Sequence, residues 1–207
     1  MFSKSWRSLL IGAALGVSVL SVQAADIAAD AFVRQVSGDV IDAVKSDKAI
    51  QGGDFKKVMA LVDARILPHV DFHRMTASAV GRYWRQASPE QQKRLEEEFK
   101  ILLVRTYSGA LAQIKDQVID LKPLRAKPED TEVVVRSEVK GKGEPIQLDY
   151  RLSKAGEAWK IYDVNVLGVW LVETYRSSFA QEVSASGIDG LIKKLADKNK
   201  AALAAKG

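Results

Sequence analysis

The 207-residue sequence contains no cysteine. That absence excludes disulfides, thiol catalysis and Cys-ligated zinc together, and also an N-terminal lipid anchor, which is attached to a cysteine. Histidine is scarce as well: His69 and His73 are the only two. Their i, i+4 spacing can hold a metal on one helix face. Here, however, Pro68 disturbs the start of any such helix, Asp71 points to another side, and neither a third ligand nor a His-Glu-x-x-His pattern is present, so no metal is expected. No serine sits in a Gly-x-Ser-x-Gly elbow. Gln51-Gly52-Gly53 and Gly141-Lys142-Gly143 lack the pattern and the strand–helix context of a phosphate loop. Beyond the N-terminus no stretch approaches eighteen apolar residues, so no membrane span is expected in the mature chain.

What is present begins with an export signal. Lys4 and Arg7 precede an apolar run from Leu9 to Leu20, and Val22-Gln23-Ala24 puts small residues where a signal peptidase reads. The pattern predicts a signal peptide over residues 1–24 and one mature domain over residues 25–207, in a periplasmic setting. Loss of Lys4 and Arg7 takes the formal net charge from +5 to +3. That mild excess does not argue for nucleic acid, and Lys193, Lys194, Lys198 and Lys200 suit a helix end.

Apolar periodicity predicts helices in the first half. Phe32, Val36, Val40 and Val44 form one stripe of a helix starting near Asp26. Asp54 caps a second, ended by Pro68, and a short helical stretch reaches Val80. Ser88-Pro89-Glu90-Gln91 is a capping box with proline at the first helical position. It opens a helix of about 25 residues with Leu95, Phe99, Leu102, Leu103, Tyr107, Leu111 and Ile114 on one broad face. From Gln117 the period becomes two. Strands are expected over residues 118–125, 131–140, 145–153 and 158–166, joined by short turns into a four-stranded antiparallel meander covered by helices. A last helix starts around Ser186-Gly187-Ile188-Asp189, with Asp189 as cap.

The most informative stretch runs from Trp159 to Phe179. A β-branched and aromatic strand meets Gly168, after which Val169, Val172 and Phe179 recur at helical spacing. A strand turning into an amphipathic helix can form one wall of an apolar pocket. The candidate lining residues are the inward alternates Val133, Val135, Ile146, Leu148, Tyr150, Trp159 and Ile161. The strand–helix wedge adds Val164, Val166, Val169, Trp170 and Leu171, and the long helix adds Phe99, Leu103 and Tyr107. Tyr83 and Trp84 are placed at a mouth, with Arg82 and Arg85 beside them as candidates for a phosphate. The alternative is an enzyme on the same fold with Asp163 or Tyr150 as acid or base. A carboxylate in Asp163's position more often bonds a neighbouring backbone group or arginine.

An ordered set of segments then narrows the reading. Gly81-Arg82-Tyr83-Trp84-Arg85, Ser88-Pro89-Glu90-Gln91, Leu103-Val104-Arg105-Thr106-Tyr107, Trp159-Lys160-Ile161-Tyr162-Asp163-Val164, Gly168-Val169-Trp170-Leu171-Val172, Tyr175-Arg176-Ser177-Ser178-Phe179 and Gly187-Ile188-Asp189-Gly190-Leu191-Ile192 occur in this order. Together they resemble the MlaC family, also called the toluene-tolerance auxiliary family, over nearly all of the mature chain. One local departure is Trp170, where a smaller residue is expected.

The resemblance implies an α+β fold of the NTF2-like kind, with an antiparallel sheet and helices around a deep apolar cavity. It implies a periplasmic phospholipid carrier, not an enzyme, with no cofactor and phospholipid as its cargo, and a monomer suits such a shuttle. It also implies two partners: an inner-membrane ABC transporter with an MCE-domain subunit, and an outer-membrane lipoprotein–porin complex. The implied role is to maintain outer-membrane lipid asymmetry.

Overall fold

The computed structural model describes residues 28–127 and 129–204. The expected signal peptide and the first helical residue, Asp26, lie outside the described residues. The element order is α1 (Ala29–Ser46), α2 (Lys48–Gln51), α3 (Phe55–Leu61), α4 (Phe72–Val80), α5 (Pro89–Ala112), then β1 (Val118–Leu121), β2 (Glu132–Val135), β3 (Ser137–Lys140), β4 (Ile146–Ala155), β5 (Ala158–Val166), β6 (Val169–Trp170) and finally α6 (Leu171–Ala204). No helix among the described residues is long and apolar enough to cross a membrane.

The α5 start follows its sequence signal. The Gln91 backbone N–H donates to Ser88 Oγ at 3.2 Å, the Ser88 N–H donates to Gln91 Oε1 at 2.9 Å, and Pro89 occupies the first turn. These contacts satisfy donors that a helix start otherwise leaves open. Asp54 caps α3 in the same way, accepting from the Lys56 and Lys57 N–H groups. Beyond Leu61 the chain does not stop at once. It widens into a π-helical turn, Val62–Ile66, and tightens into a 3₁₀ turn, Leu67–His69, that contains Pro68.

Among the described residues the sheet has six strands rather than the expected four, and all the pairings between those strands are antiparallel. The expected strand over residues 131–140 is broken at Arg136 into β2 and β3. These two lie along one edge of β4, β2 against Tyr150–Ser153 and β3 against Ile146–Gln147. At the break, the Ser137 N–H donates to the buried carboxylate of Asp149 at 3.1 Å, which replaces a lost ladder bond. β1 then pairs with β3. The sixth strand arises because Val169 and Trp170, expected to start a helix, pair instead with Val166 and Asn165.

A bulge in β5 sets which side chains face inward. Arg151 faces Asp163 and Leu152 faces Ile161 in the β4–β5 register, so Tyr162 is the extra residue. Strict alternation would have put Asp163 beside Ile161. The bulge instead turns Asp163 and Asn165 away from the face that carries Ile161, Val164 and Val166.

The helices cover that face in three packed groups. The α4–α5–α6 group contains Phe99, Leu95, Val172, Phe179 and Leu191. The first half of α1 packs Ala29 and Val33 on Val133, Val135, Leu152 and Trp159. The second half of α1 meets α2, α3 and α5 at Val44, Ile50, Val58 and Val104. α6 kinks at Gly187, whose φ of 72° and ψ of 179° are closed to side-chain-bearing residues. The expected cap, Asp189, instead accepts a hydrogen bond from Gln91 Nε2 at 2.8 Å, tying α6 to the start of α5.

Candidate functional site

Between the three packed groups lies a cavity of about 380 Å³. One wall is the concave face of the sheet: Ile119, Val139, Ile146, Leu148, Tyr150, Ile161, Val164 and Val166. The opposite wall is helical, with Val36, Val40 and Ile41 of α1 and Leu103, Val104, Tyr107 and Leu111 of α5, and Ile114 just beyond the end of α5. The floor is Val62, Ile66, Leu67, Val70, Phe72 and Met75, and Leu171 closes the start of α6. The π and 3₁₀ turns after α3 make this floor possible, because they carry Val62, Ile66 and Leu67 across the end of the cavity.

Few polar groups interrupt the lining. Lys100 lays its stem along the wall while its ammonium pairs with Asp63 Oδ1 at 2.9 Å. Ser37 Oγ lies 3.5 Å from the Tyr150 phenol oxygen. Burial pushes the phenols of Tyr107 and Tyr150 up from their ordinary value, so both stay neutral at physiological pH. The cavity therefore presents no buried charge to its contents.

A second cleft, of about 490 Å³, opens on the outer face of the sheet beside Arg125, Arg136, Arg151 and Tyr162. Although larger, it is polar, and much of its charge is internally paired. Arg74 bonds Glu132 at 2.7 Å and lies over the Tyr162 ring, and Arg151 bonds Asp163 at 2.9 Å. The apolar cavity between sheet and helices is the candidate site.

The structure brings together about half of the residues proposed from sequence. Leu103, Tyr107, Ile146, Leu148, Tyr150, Ile161, Val164, Val166 and Leu171 all reach the cavity. Phe99 does not. It is fully buried between α5 and α6, in contact with the rings of Phe72, Tyr175 and Phe179. Helical periodicity marks a broad apolar face of α5 but not that this face serves two neighbours: Phe99 turns to α6 and Leu103 to the cavity. Val133, Val135 and Trp159 pack under α1 instead, with Ala29 and Val33. Val169 shares a face with its ladder partner Val166 but stands exposed at the edge.

Trp170 lies on the outer face of the sheet, 3.9 Å beneath the Arg151 guanidinium. It neither lines nor narrows the cavity. Tyr83 and Trp84 are not at a mouth. They pack against the α4–α5–α6 group, where Tyr83 bonds Ser184 and Arg82, and Trp84 meets His73 edge-on. Arg82 is thereby directed to Tyr83, and neither Arg82 nor Arg85 borders the cavity. His73 pairs with Glu96 at 2.8 Å and His69 packs on Phe32.

The floor residues and the α1 wall were missed as site residues. For α1 the signal was visible: Val36, Val40 and Ile41 lie on its apolar stripe, which serves core and cavity alike.

Asp163 is buried and fully engaged. Its Oδ1 accepts the N–H groups of Val164 and Val172 at 2.9 and 3.1 Å, so it caps α6, while Oδ2 pairs with Arg151. It is absent from the cavity lining. Burial raises its pKa from the ordinary aspartate value, against the opposing effect of those hydrogen bonds and of Arg151. In the window just above the ordinary value the folded chain holds a proton that the unfolded chain has lost, so stability falls as pH rises through that window. Asp163→Asn keeps an oxygen acceptor for the two N–H groups and removes the titration. As pH rises through the window that opens at the ordinary aspartate value of about 4, urea midpoints of the wild type are expected to fall relative to those of the variant. Parallel profiles would contradict this assignment.

Comparisons with known proteins agree with this geometry. A phospholipid-binding protein from Ralstonia solanacearum, solved in complex with a phospholipid, is 46% identical and superposes with a TM-score of 0.82 over 84% of this chain and 98% of that one. The intermembrane phospholipid transport system binding protein MlaC of Haemophilus influenzae is 21% identical over 196 residues, 93% of this chain and 92% of its own. The toluene tolerance protein Ttg2D of Pseudomonas putida is 32% identical over 127 residues, 60% of this chain, and the alignment spans 59% of that relative. The sequence model of the MlaC protein family matches residues 34–197, most of the length, and the chain belongs to that family.

Proposed function

We propose that this protein is a soluble periplasmic carrier that shuttles glycerophospholipids between the outer and inner membranes and so maintains outer-membrane lipid asymmetry. The observation that carries the reading is the predominantly apolar cavity between sheet and helices in a chain 46% identical to a protein solved with a phospholipid bound. Residues 1–24 act as the export signal and residues 25–207 as the single lipid-binding domain. The lining residues of the sheet and of α5 hold the acyl chains. The partners are those the family resemblance implies, an inner-membrane ABC transporter with an MCE-domain subunit and an outer-membrane lipoprotein–porin complex.

The physical need for a carrier is large. Each methylene exposed to water costs about 0.8 kcal/mol, so a tail of roughly fifteen costs on the order of 12 kcal/mol. A cavity that encloses the tails removes most of that barrier. Chemistry on the cargo finds no support in the side chains. Asp163 is committed to Arg151 and the α6 N-terminus, and the Tyr150 phenol is held neutral by burial. We therefore read the protein as a binder, not an enzyme.

Native mass spectrometry of the mature protein purified from a Gram-negative host, followed by solvent extraction, tests the proposal. Stoichiometric phospholipid that leaves only on denaturation is expected. A mass equal to the bare chain, with no extractable lipid, would overturn it.

A further inference from the structure

From Val164 to Val172 the chain carries no charged residue, and the middle of that run faces water. Leu167 is 66% exposed and Val169 54%, and Ile146 on β4 is 43% exposed. Single exposed apolar side chains are ordinary, but these three adjoin the cavity. Ile146 and Val166 line it. Val169 is the ladder partner of Val166 on the same face. The Leu167 N–H donates to the Gln147 carbonyl at 3.0 Å, which holds the hairpin tip against the strand that carries Ile146.

The backbone sharpens the observation. Leu167 and Gly168 form the two-residue loop between β5 and β6, with φ of 54° and 88°. Positive φ at both positions is the mark of a type I′ turn, which favours Asn, Asp or Gly at the first. The turn is otherwise well made, since the Gly168 N–H donates to Asn165 Oδ1 at 2.8 Å. A leucine is strained there and gains no burial in return. Both the backbone and the solvent disfavour this side chain in the free protein, which points to a surface that covers it.

We propose that the Leu167-Gly168-Val169 hairpin tip, with Ile146 beside it, is the edge with which the protein touches a lipid bilayer while the cavity loads or empties. This rests on the carrier reading. The tip itself offers no charge and no hydrogen-bonding side chain with which to select a protein partner. It offers an apolar path: an acyl chain leaving a bilayer at the tip passes onto Val166 and Leu148 without crossing water. A tip of three aliphatic side chains is small enough for brief contact, as a shuttle requires.

The cysteine-free sequence makes the test direct, because any introduced thiol is unique. Leu167→Cys and, at the far end of the β4–β5 hairpin, Glu157→Cys would each carry an environment-sensitive nitrobenzoxadiazole label. With vesicles of phosphatidylcholine and phosphatidylglycerol, a blue shift and rise in emission are expected at position 167 and not at 157. Leu167→Asn relaxes the turn and removes the apolar tip. This variant is expected to purify with as much bound phospholipid as the wild type, yet to move labelled lipid between vesicles several-fold more slowly. Equal responses at both positions would mean non-specific adsorption and would overturn the proposal. So would a silent label at position 167 or unchanged transfer by Leu167→Asn. If the variant slowed only when receptor proteins were present in the membranes, the tip would be reading a protein, and the proposal would fall. A wild type that holds no lipid would refute the carrier reading instead, and the label response would still report on the tip.

Discussion

Leu103→Trp with Val166→Trp is expected to leave a folded protein that purifies with less than about a tenth of the wild-type phospholipid. Leu103 projects from α5 and Val166 from β5, so the two indoles enter the cavity from opposite walls. Overpacking a filled core costs roughly 1–3 kcal/mol, but here the added atoms enter an existing void of about 380 Å³. They gain contacts where the wall had none, which offsets much of the strain. The melting temperature should therefore stay within a few degrees of the wild type while the extracted lipid disappears. A double variant that still carries stoichiometric lipid would show that the acyl chains lie elsewhere, and the outer cleft beside Arg125 and Arg136 would be the next place to look. The two readouts must be taken on the same preparation, because a misfolded variant would also lose lipid.

The α5 helix was legible almost to the residue. Its capping box and first-turn proline act within four residues, and nothing distant competes with them. The alternation of β4 was legible for the same reason. What the sequence hid was long-range. The break at Arg136 depends on Asp149 arriving from another strand to accept the Ser137 N–H. The Tyr162 bulge shows only as a register shift against β4. It explains why Val164 and Val166 line the cavity although they have the opposite parity to Ile161. Trp170 looked like a cavity residue because it is large and apolar, but its place is set by Arg151 across the ladder. The widening after α3 carries no residue signature at all, yet it builds the floor. Periodicity gave faces. It could not say whether a face met a neighbouring helix or an empty space.

That distinction makes the second large effect the more instructive one. Phe99→Ala is expected to destabilise the protein by about 3–5 kcal/mol, the range for removing a buried aromatic ring from a close-packed site. Phe99 is fully buried and makes edge contacts with Tyr175 and Phe179 at ring separations of 4.9 and 5.3 Å, with Phe72 at 5.9 Å. Such pairs add to the area term, and the rings around the gap come from two helices, Phe72 from α4 and Tyr175 and Phe179 from α6, that cannot both close on it. The loss should appear as a lower urea midpoint with an unchanged slope. Under native conditions the same variant should still purify with stoichiometric phospholipid, because Phe99 faces α6 and the cavity wall of α5 is made by Leu103, Tyr107 and Leu111. The double tryptophan variant should do the reverse, losing cargo with little change in stability. Core and cavity are adjacent stripes of one helix, four residues apart at Phe99 and Leu103. If Phe99→Ala emptied the protein of lipid while its stability held, the division of α5 between those two faces would be wrong.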